Sequence, residues 1–176
     1  MAELIGISLS YAKNISFYIP VGHKNIKSLN KDFVVKKLKP ILEDPSIKKV
    51  GQNIKYDFII LKKYGVELNS VEDTMLLSYT LDAGNNRHNM DTLSELHLNH
   101  KTISYKDLVG SGKKQLKFSE VDIDKATEYA AEDADVTLRL YEILSERLSN
   151  EKLNQIYEVF EKPMIKILSK LETYGV

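Results

Sequence analysis

Cysteine and tryptophan are absent from the 176-residue chain, proline occurs 4 times and glycine 8 times, and arginine is nearly missing beside a large lysine complement. Without cysteine there can be no disulfide framework, thiolate zinc site or cysteine nucleophile, so any metal must be held by oxygen or by the 4 histidines. Hard-cation chemistry stays open. No apolar run has the length to span a bilayer, and the opening Met1-Ala2-Glu3-Leu4-Ile5-Gly6-Ile7 lacks the basic stretch of a secretory signal. A cytoplasmic protein with no membrane partner is expected. With 43% hydrophobic and 28% charged residues, wholesale disorder is a poor reading, and the length suits one domain with its own core.

Charge of neither sign is in excess, at 25 basic and 25 acidic residues, but the balance is uneven along the chain. Residues 1–117 hold 18 Lys and Arg against 12 Asp and Glu, and residues 118–176 hold 7 against 13. A polyanion-facing half and an acidic site could produce this, and so could solvated helix faces. A neutral chain lacks the basic excess that drives strong autonomous DNA binding.

Apolar and β-branched residues in Glu3–Ser10 and Ile15–Pro20, joined by Ala12-Lys13-Asn14, predict a β-hairpin. Asn30 is placed to cap a helix whose apolar positions are Phe33, Val34, Leu38, Ile41 and Leu42, ending before Asp44-Pro45. Short strands at Ile47–Gly51 and Val71–Asp73 alternate with helices through Tyr56, Ile59, Ile60 and Tyr64 and through Met75, Leu76 and Tyr79. That alternation predicts an α/β domain with part of its sheet parallel. Residues 82–117 are the least regular, with a helix expected near Thr92–Leu98. The loop Gly110-Ser111-Gly112-Lys113-Lys114 lacks both the spacing of a P-loop and a preceding strand. Capping residues within Ser119–Asp124 predict a long helix to about Ser149, and a last helix is expected over Glu151–Thr173 with a break near Pro163.

Two acidic segments could carry chemistry. In Gly51-Gln52-Asn53-Ile54-Lys55-Tyr56-Asp57 a strand ends and an aspartate follows at a helix start, where ligands gather in open α/β sheets. An aspartate there also suits the helix dipole, so both readings stand. In Tyr129-Ala130-Ala131-Glu132-Asp133-Ala134-Asp135, Tyr129 and Asp133 lie one turn apart on a helix face. Alanines 126, 130 and 134 form a small-residue stripe that permits close approach to a sheet, where a carboxylate is costly unless paired or metal-bound.

These two segments resemble the second and third motifs of the 3′-to-5′ proofreading exonuclease domain of bacterial DNA polymerase I. Tyr18-Ile19-Pro20-Val21, Asp73-Thr74-Met75-Leu76, Arg87-His88-Asn89-Met90-Asp91 and His100-Lys101-Thr102-Ile103 resemble the same domain in the same order. The resemblance covers nearly the whole chain. It implies a ribonuclease-H-like α/β fold with a mixed sheet flanked by helices, and two divalent cations, Mg²⁺ or Mn²⁺, held by carboxylates. It also implies hydrolysis of the 3′-terminal phosphodiester with release of deoxynucleoside monophosphates, the two ions sitting on the attacking and leaving oxygens. Carried over by position, Asp133 ligates the ion that activates water, Tyr129 positions that water and Asp57 serves the second ion. Asn53, Met75 and Arg87 match positions beside the single-stranded DNA 3′ end, although ordinary structural roles suit them equally.

The chain departs from that pattern at its start. The family's first motif, Asp-x-Glu on a central first strand, has no counterpart, since Glu3 lacks an Asp two residues before it. The expectation is therefore one exonuclease domain over 1–176 without its first strand, and a gap or displacement beside the hairpin. Leu171-Glu172-Thr173-Tyr174-Gly175-Val176 resembles the junction to a polymerase domain, a partner expected in cis or in trans. A non-catalytic scaffold or nucleic-acid-binding module of a polymerase is the alternative.

Overall fold

The computed structural model describes residues 3–175, so Met1, Ala2 and Val176 of the segments just named lie outside the described residues. The hairpin forms as β1 (Gly6–Ala12) and β2 (Ile15–Pro20); β2 has the expected bounds, whereas β1 starts and ends later than the apolar pattern alone predicts. Gly6 lies opposite Pro20 and Ser8 opposite Tyr18, and the register slips between Ser10 and Ala12. Asn14 takes the turn with φ of 63°, a conformation asparagine tolerates better than most residues.

Gly6 has a packing reason to be glycine. A Cβ there would sit 2.1 Å from the Tyr18 hydroxyl. That ring is not free to swing, because its hydroxyl is 2.7 Å from His23 Nε2 and the ring meets those of His23 and Phe118 edge-on. Gly6→Ala should lower stability by about 1–3 kcal/mol in denaturant melts, the cost of forcing an extra group into a packed site. An unchanged midpoint would show that Tyr18 moves aside without loss.

Asn30 caps α1 (Lys31–Glu43) by accepting from the Phe33 N–H at 2.9 Å. The buried face is Val34, Val35 and Leu42, whereas Phe33 and Ile41, expected on the apolar face, are 56% and 50% exposed. Periodicity placed them at the edge of a stripe that the neighbouring elements are too narrow to cover. Next come β3 (Lys49–Gly51), α2 (Lys55–Lys63), β4 (Val71–Asp73) and α3 (Thr74–Asp82), with β3 and β4 parallel and Gly51 opposite Asp73. After α4 (Met90–Leu98) a short α5 (Tyr105–Val109), not foreseen from the sequence, precedes the long α6 (Ile123–Asn150), capped by the Asp122 side chain.

The last helix does not run unbroken from Glu151. A single turn, α7 (Asn154–Ile156), leads through a π turn over Tyr157–Glu161 into α8 (Lys162–Tyr174). Pro163 sits in the first turn of α8, where its missing N–H costs little, so the π turn rather than the proline is the irregularity.

Among the described residues the strands form two separate two-stranded sheets, β1-β2 and β3-β4, with no strand pairing between them. α6 packs against both, and so holds together elements that no shared ladder joins. One core gathers Val34, Val35 and Leu42 of α1, Phe58 and Ile60 of α2, Val71 of β4 and Ile165 of α8. A second packs Leu77 of α3 and Leu93 of α4 against Val136, Leu140, Leu144 and Leu148 of α6. No helix among the described residues is long and apolar enough to cross a membrane.

Candidate active site

The loop after β3 is organised by an acid that sequence reasoning did not single out. Asp73, 1% exposed, accepts from the N–H groups of Asn53 at 2.9 Å, Ile54 at 3.0 Å and Met75 at 2.9 Å. It thus caps α3 and at the same time clamps the turn from β3 into α2. Burial raises its pKa, while these amide donors pull it down. Asn53 adopts φ of 56°, so part of its role is to make this turn. Gln52 extends the clamp: its amide donates to the His88 carbonyl at 2.7 Å and its Oε1 accepts from the Thr74 hydroxyl at 2.5 Å. Asn53, Met75 and the residue after Arg87 are therefore tied into one hydrogen-bonded unit. Arg87 itself is exposed and Met75 half-buried.

Asp57 lies in the first turn of α2. Its side chain retains wide access to solvent, yet its pKa is raised to about 6, first by the protein packed around it and second by the charge of Asp73.

Tyr129 and Asp133 stand one turn apart on α6 as expected. Tyr129 is held in an aromatic cluster, its ring 5.9 Å from that of Tyr105 and 6.1 Å from that of Phe118, which in turn meets Tyr18 and His23 of the hairpin side. Burial and the neighbouring Asp133 push its pKa up. Asp133 Oδ1 is buried with no hydrogen-bond partner. Its pKa is raised to about 7, mainly by burial; the Tyr129 hydroxyl acts in the opposite sense, and Glu132 and Asp91 add to the rise. The alanine stripe is only partly what the spacing predicted, because Ala126 packs against Val109 and Val121 rather than a sheet. The next acids along α6 are spoken for. Glu132 accepts from the Ile103 N–H at 2.7 Å and meets His100 Nε2 at 2.8 Å, and Asp135 accepts from the Asn14 N–H at 2.5 Å, locking the hairpin turn to α6.

A family model described as 3′-5′ exonuclease, of the A-type DNA polymerases, matches residues 2–149. The chain belongs to this exonuclease family. DNA polymerase I of Rhizobium leguminosarum is 45% identical over 99% of this chain and 19% of its own length, and that of Pseudomonas aeruginosa is 40% identical over 99% and 20%. The chain thus spans about a fifth of these curated relatives. Among solved structures, Brucella melitensis NrnC superposes with a TM-score of 0.73 at 22% identity over 98% of this chain and 78% of that one. The POL domain of Pol1 from M. smegmatis, in complex with DNA primer-template and dNTP, gives 0.73 at 19% identity over 97% and 25%. At these identities the superpositions show the fold, which is ribonuclease-H-like.

Exonucleases of this family are expected to hold divalent metals, and the donor chemistry of Asp57 and Asp133 suits a hard cation. An orphaned buried oxygen on Asp133 is what a metal ligand leaves when no cation is bound. The number of donors falls short. Among the described residues no group of three or more His, Asp or Glu side chains could hold a metal ion. The charge of Asp73 bears on Asp57, and those of Glu132 and Asp91 bear on Asp133. Residues 1–176 alone should accordingly bind Mg²⁺ weakly, in the millimolar range or above, because isolated carboxylates do not displace its water. Micromolar affinity by calorimetry, lost in Asp133→Ala, would contradict this.

Proposed function

We propose that the protein is the 3′-to-5′ proofreading exonuclease domain of a cytoplasmic DNA polymerase I, acting on a single-stranded DNA 3′ end. Water adds to the 3′-terminal phosphorus, the bond to the preceding 3′ oxygen breaks, and a deoxynucleoside monophosphate leaves. What carries the reading is the pair of acids at the matching motif positions of a family member: Asp133 with an unpartnered buried oxygen, and Asp57, exposed and with its pKa raised to about 6. In this reading they are ligands of a Mg²⁺ or Mn²⁺ centre whose remaining carboxylates come from a segment bearing Asp-x-Glu. Such ions neutralise charge at the attacking and leaving oxygens. Tyr129, fixed by Tyr105 and Phe118, orients the attacking water. Asn53, Met75 and Arg87 hold the terminal nucleotides, supported by the Gln52 and Asp73 clamp. An adjoining polymerase domain has a fitting surface in the exposed apolar side chains of the last helical segment, among them Phe160 at 65%, Ile167 at 48% and Leu171 at 42%.

A second reading, a non-catalytic module of a polymerase, is favoured by the lack of a three-ligand cluster among the described residues. The two are separated by joining residues 1–176 to an Asp-x-Glu segment and incubating the product with a 5′-labelled single strand and Mg²⁺. We expect stepwise shortening from the 3′ end with monophosphate release, and little or none from residues 1–176 alone. A folded, extended protein that leaves the 3′ end intact would favour the non-catalytic module.

A further inference from the structure

Basic side chains from both halves of the chain gather around the C-terminal half of α2. Two open concavities share Lys39: one of about 360 Å³ between α1 and the end of α2, and one of about 540 Å³ between α1, α2 and α8. Their walls carry Lys36, Lys39, Lys62, Lys63, Lys166 and Lys170 against Asp32, Glu43 and Glu67. Part of this charge is internally used. Lys39 donates to the Gly65 carbonyl at 2.5 Å and pairs with Glu43 at 3.4 Å, and Glu43 also accepts from the Glu67 N–H. Lys36, Lys62, Lys166 and Lys170 are exposed, and among the described residues none pairs with a carboxylate. Three helices thus bring four exposed, unpaired ammonium groups to these walls, in excess of the carboxylates of Asp32 and Glu67, in a chain whose net charge is zero.

We propose that this groove binds the phosphate backbone of nucleic acid, as a contact distinct from the site of Asp57, Tyr129 and Asp133. A small anion is a poor fit, because both concavities are open and present dispersed point charges rather than converging donors. Charges spread along a groove match a ligand whose charge is also spread, and each ammonium that neutralises a phosphate releases a counterion. Taking the polyanion to be nucleic acid rests on the exonuclease reading. The α2 lysines of the groove, Lys62 and Lys63, belong to the last turn of that helix, whereas Asp57 stands in its first turn and lines neither concavity, so substrate can be held by the lysines without occupying the hydrolytic site.

The test is fluorescence anisotropy of residues 1–176 with labelled duplex and single-stranded DNA over a series of KCl concentrations. The triple variant Lys36→Gln, Lys62→Gln, Lys170→Gln should lose about tenfold or more in affinity at low salt. It should also flatten the dependence of log K on log salt by about 2–3, at roughly 0.9 per duplex phosphate contact or 0.7 per single-strand contact. The control triple Lys27→Gln, Lys114→Gln, Lys152→Gln removes the same charge elsewhere and should leave the slope unchanged. Should the groove triple melt early, Lys62→Gln and Lys170→Gln singly should each flatten the slope by about 1. Equal effects of the two triples, or an unchanged groove triple, would overturn the proposal. Displacement of DNA by polyglutamate at matched charge would also overturn it, in favour of an acidic protein partner. Because binding is read without turnover, loss of the groove contact and loss of hydrolysis are scored separately.

Discussion

Asp133→Asn should make the metal-free protein more stable at pH 8, by about 2 kcal/mol, and leave it nearly unchanged at pH 4. The Asp133 pKa of about 7 lies well above that of an unfolded aspartate, so the folded state binds the proton more tightly. Stability therefore falls as pH rises from about 4 to about 7, as the folded protein comes to carry a charge that burial disfavours, and the full penalty applies above that window. A shift of this size corresponds to about 4 kcal/mol as an upper limit, and partial exposure of the side chain roughly halves it. Asparagine keeps the shape and removes the charge. Denaturant melts of parent and variant from pH 4 to pH 8 should diverge through that window. A variant less stable than the parent at every pH would show that the Asp133 carboxylate is paired within the fold and is no free ligand.

Asp73→Ala should have the opposite effect, a loss of about 3 kcal/mol and a fall of about 6–12 °C in Tm. The carboxylate accepts three backbone N–H groups, two from the Asn53-Ile54 turn and one at the start of α3. Alanine removes a helix cap and leaves the Ile54 donor buried without a partner. The Tyr157 hydroxyl accepts from the backbone N–H of residue 73, which alanine keeps, and donates to Glu72, so this neighbouring contact is unaffected. Asp73→Asn keeps one acceptor oxygen and should lose less. If alanine and asparagine cost the same small amount, the turn is held by packing alone and Asp73 is no organiser of the site.

The parts of this structure that could be read from the sequence are those governed by neighbours in the chain. Asn30 and Asp122 are local capping signals, and α1 and α6 start where those residues stand. The positions of Asp57 and of the Tyr129–Asp133 pair follow from strand and helix boundaries, and the motif order points to the family. Periodicity defines a face but not the width of its partner, which is why Phe33 and Ile41 are left exposed. α5 spans only Tyr105–Val109 and is too short for a periodic signal.

Asp73 illustrates the main limit for the site. Its place before Thr74 and Met75 is a readable N-cap signal, but its reach to Asn53 and Ile54 depends on the parallel pairing of β3 with β4. The contact of Asp135 with Asn14 likewise spans most of the chain, and a sequence reader sees there only one more acid on a charged helix. The same holds for Tyr105 and Phe118, whose rings hold Tyr129 but which come from segments with no motif of their own.

The central claim is that Asp57 and Asp133 belong to one hydrolytic centre. Its most direct test is the single-turnover rate at which the extended protein, residues 1–176 joined to an Asp-x-Glu segment, removes the 3′-terminal nucleotide of a single strand in saturating Mg²⁺. Asp57→Ala and Asp133→Ala should each reduce that rate by a factor of about 10² or more, the scale of losing charge stabilisation at a reacting centre, while both variants remain folded. Two folded variants that cleave as fast as the parent would contradict the assignment.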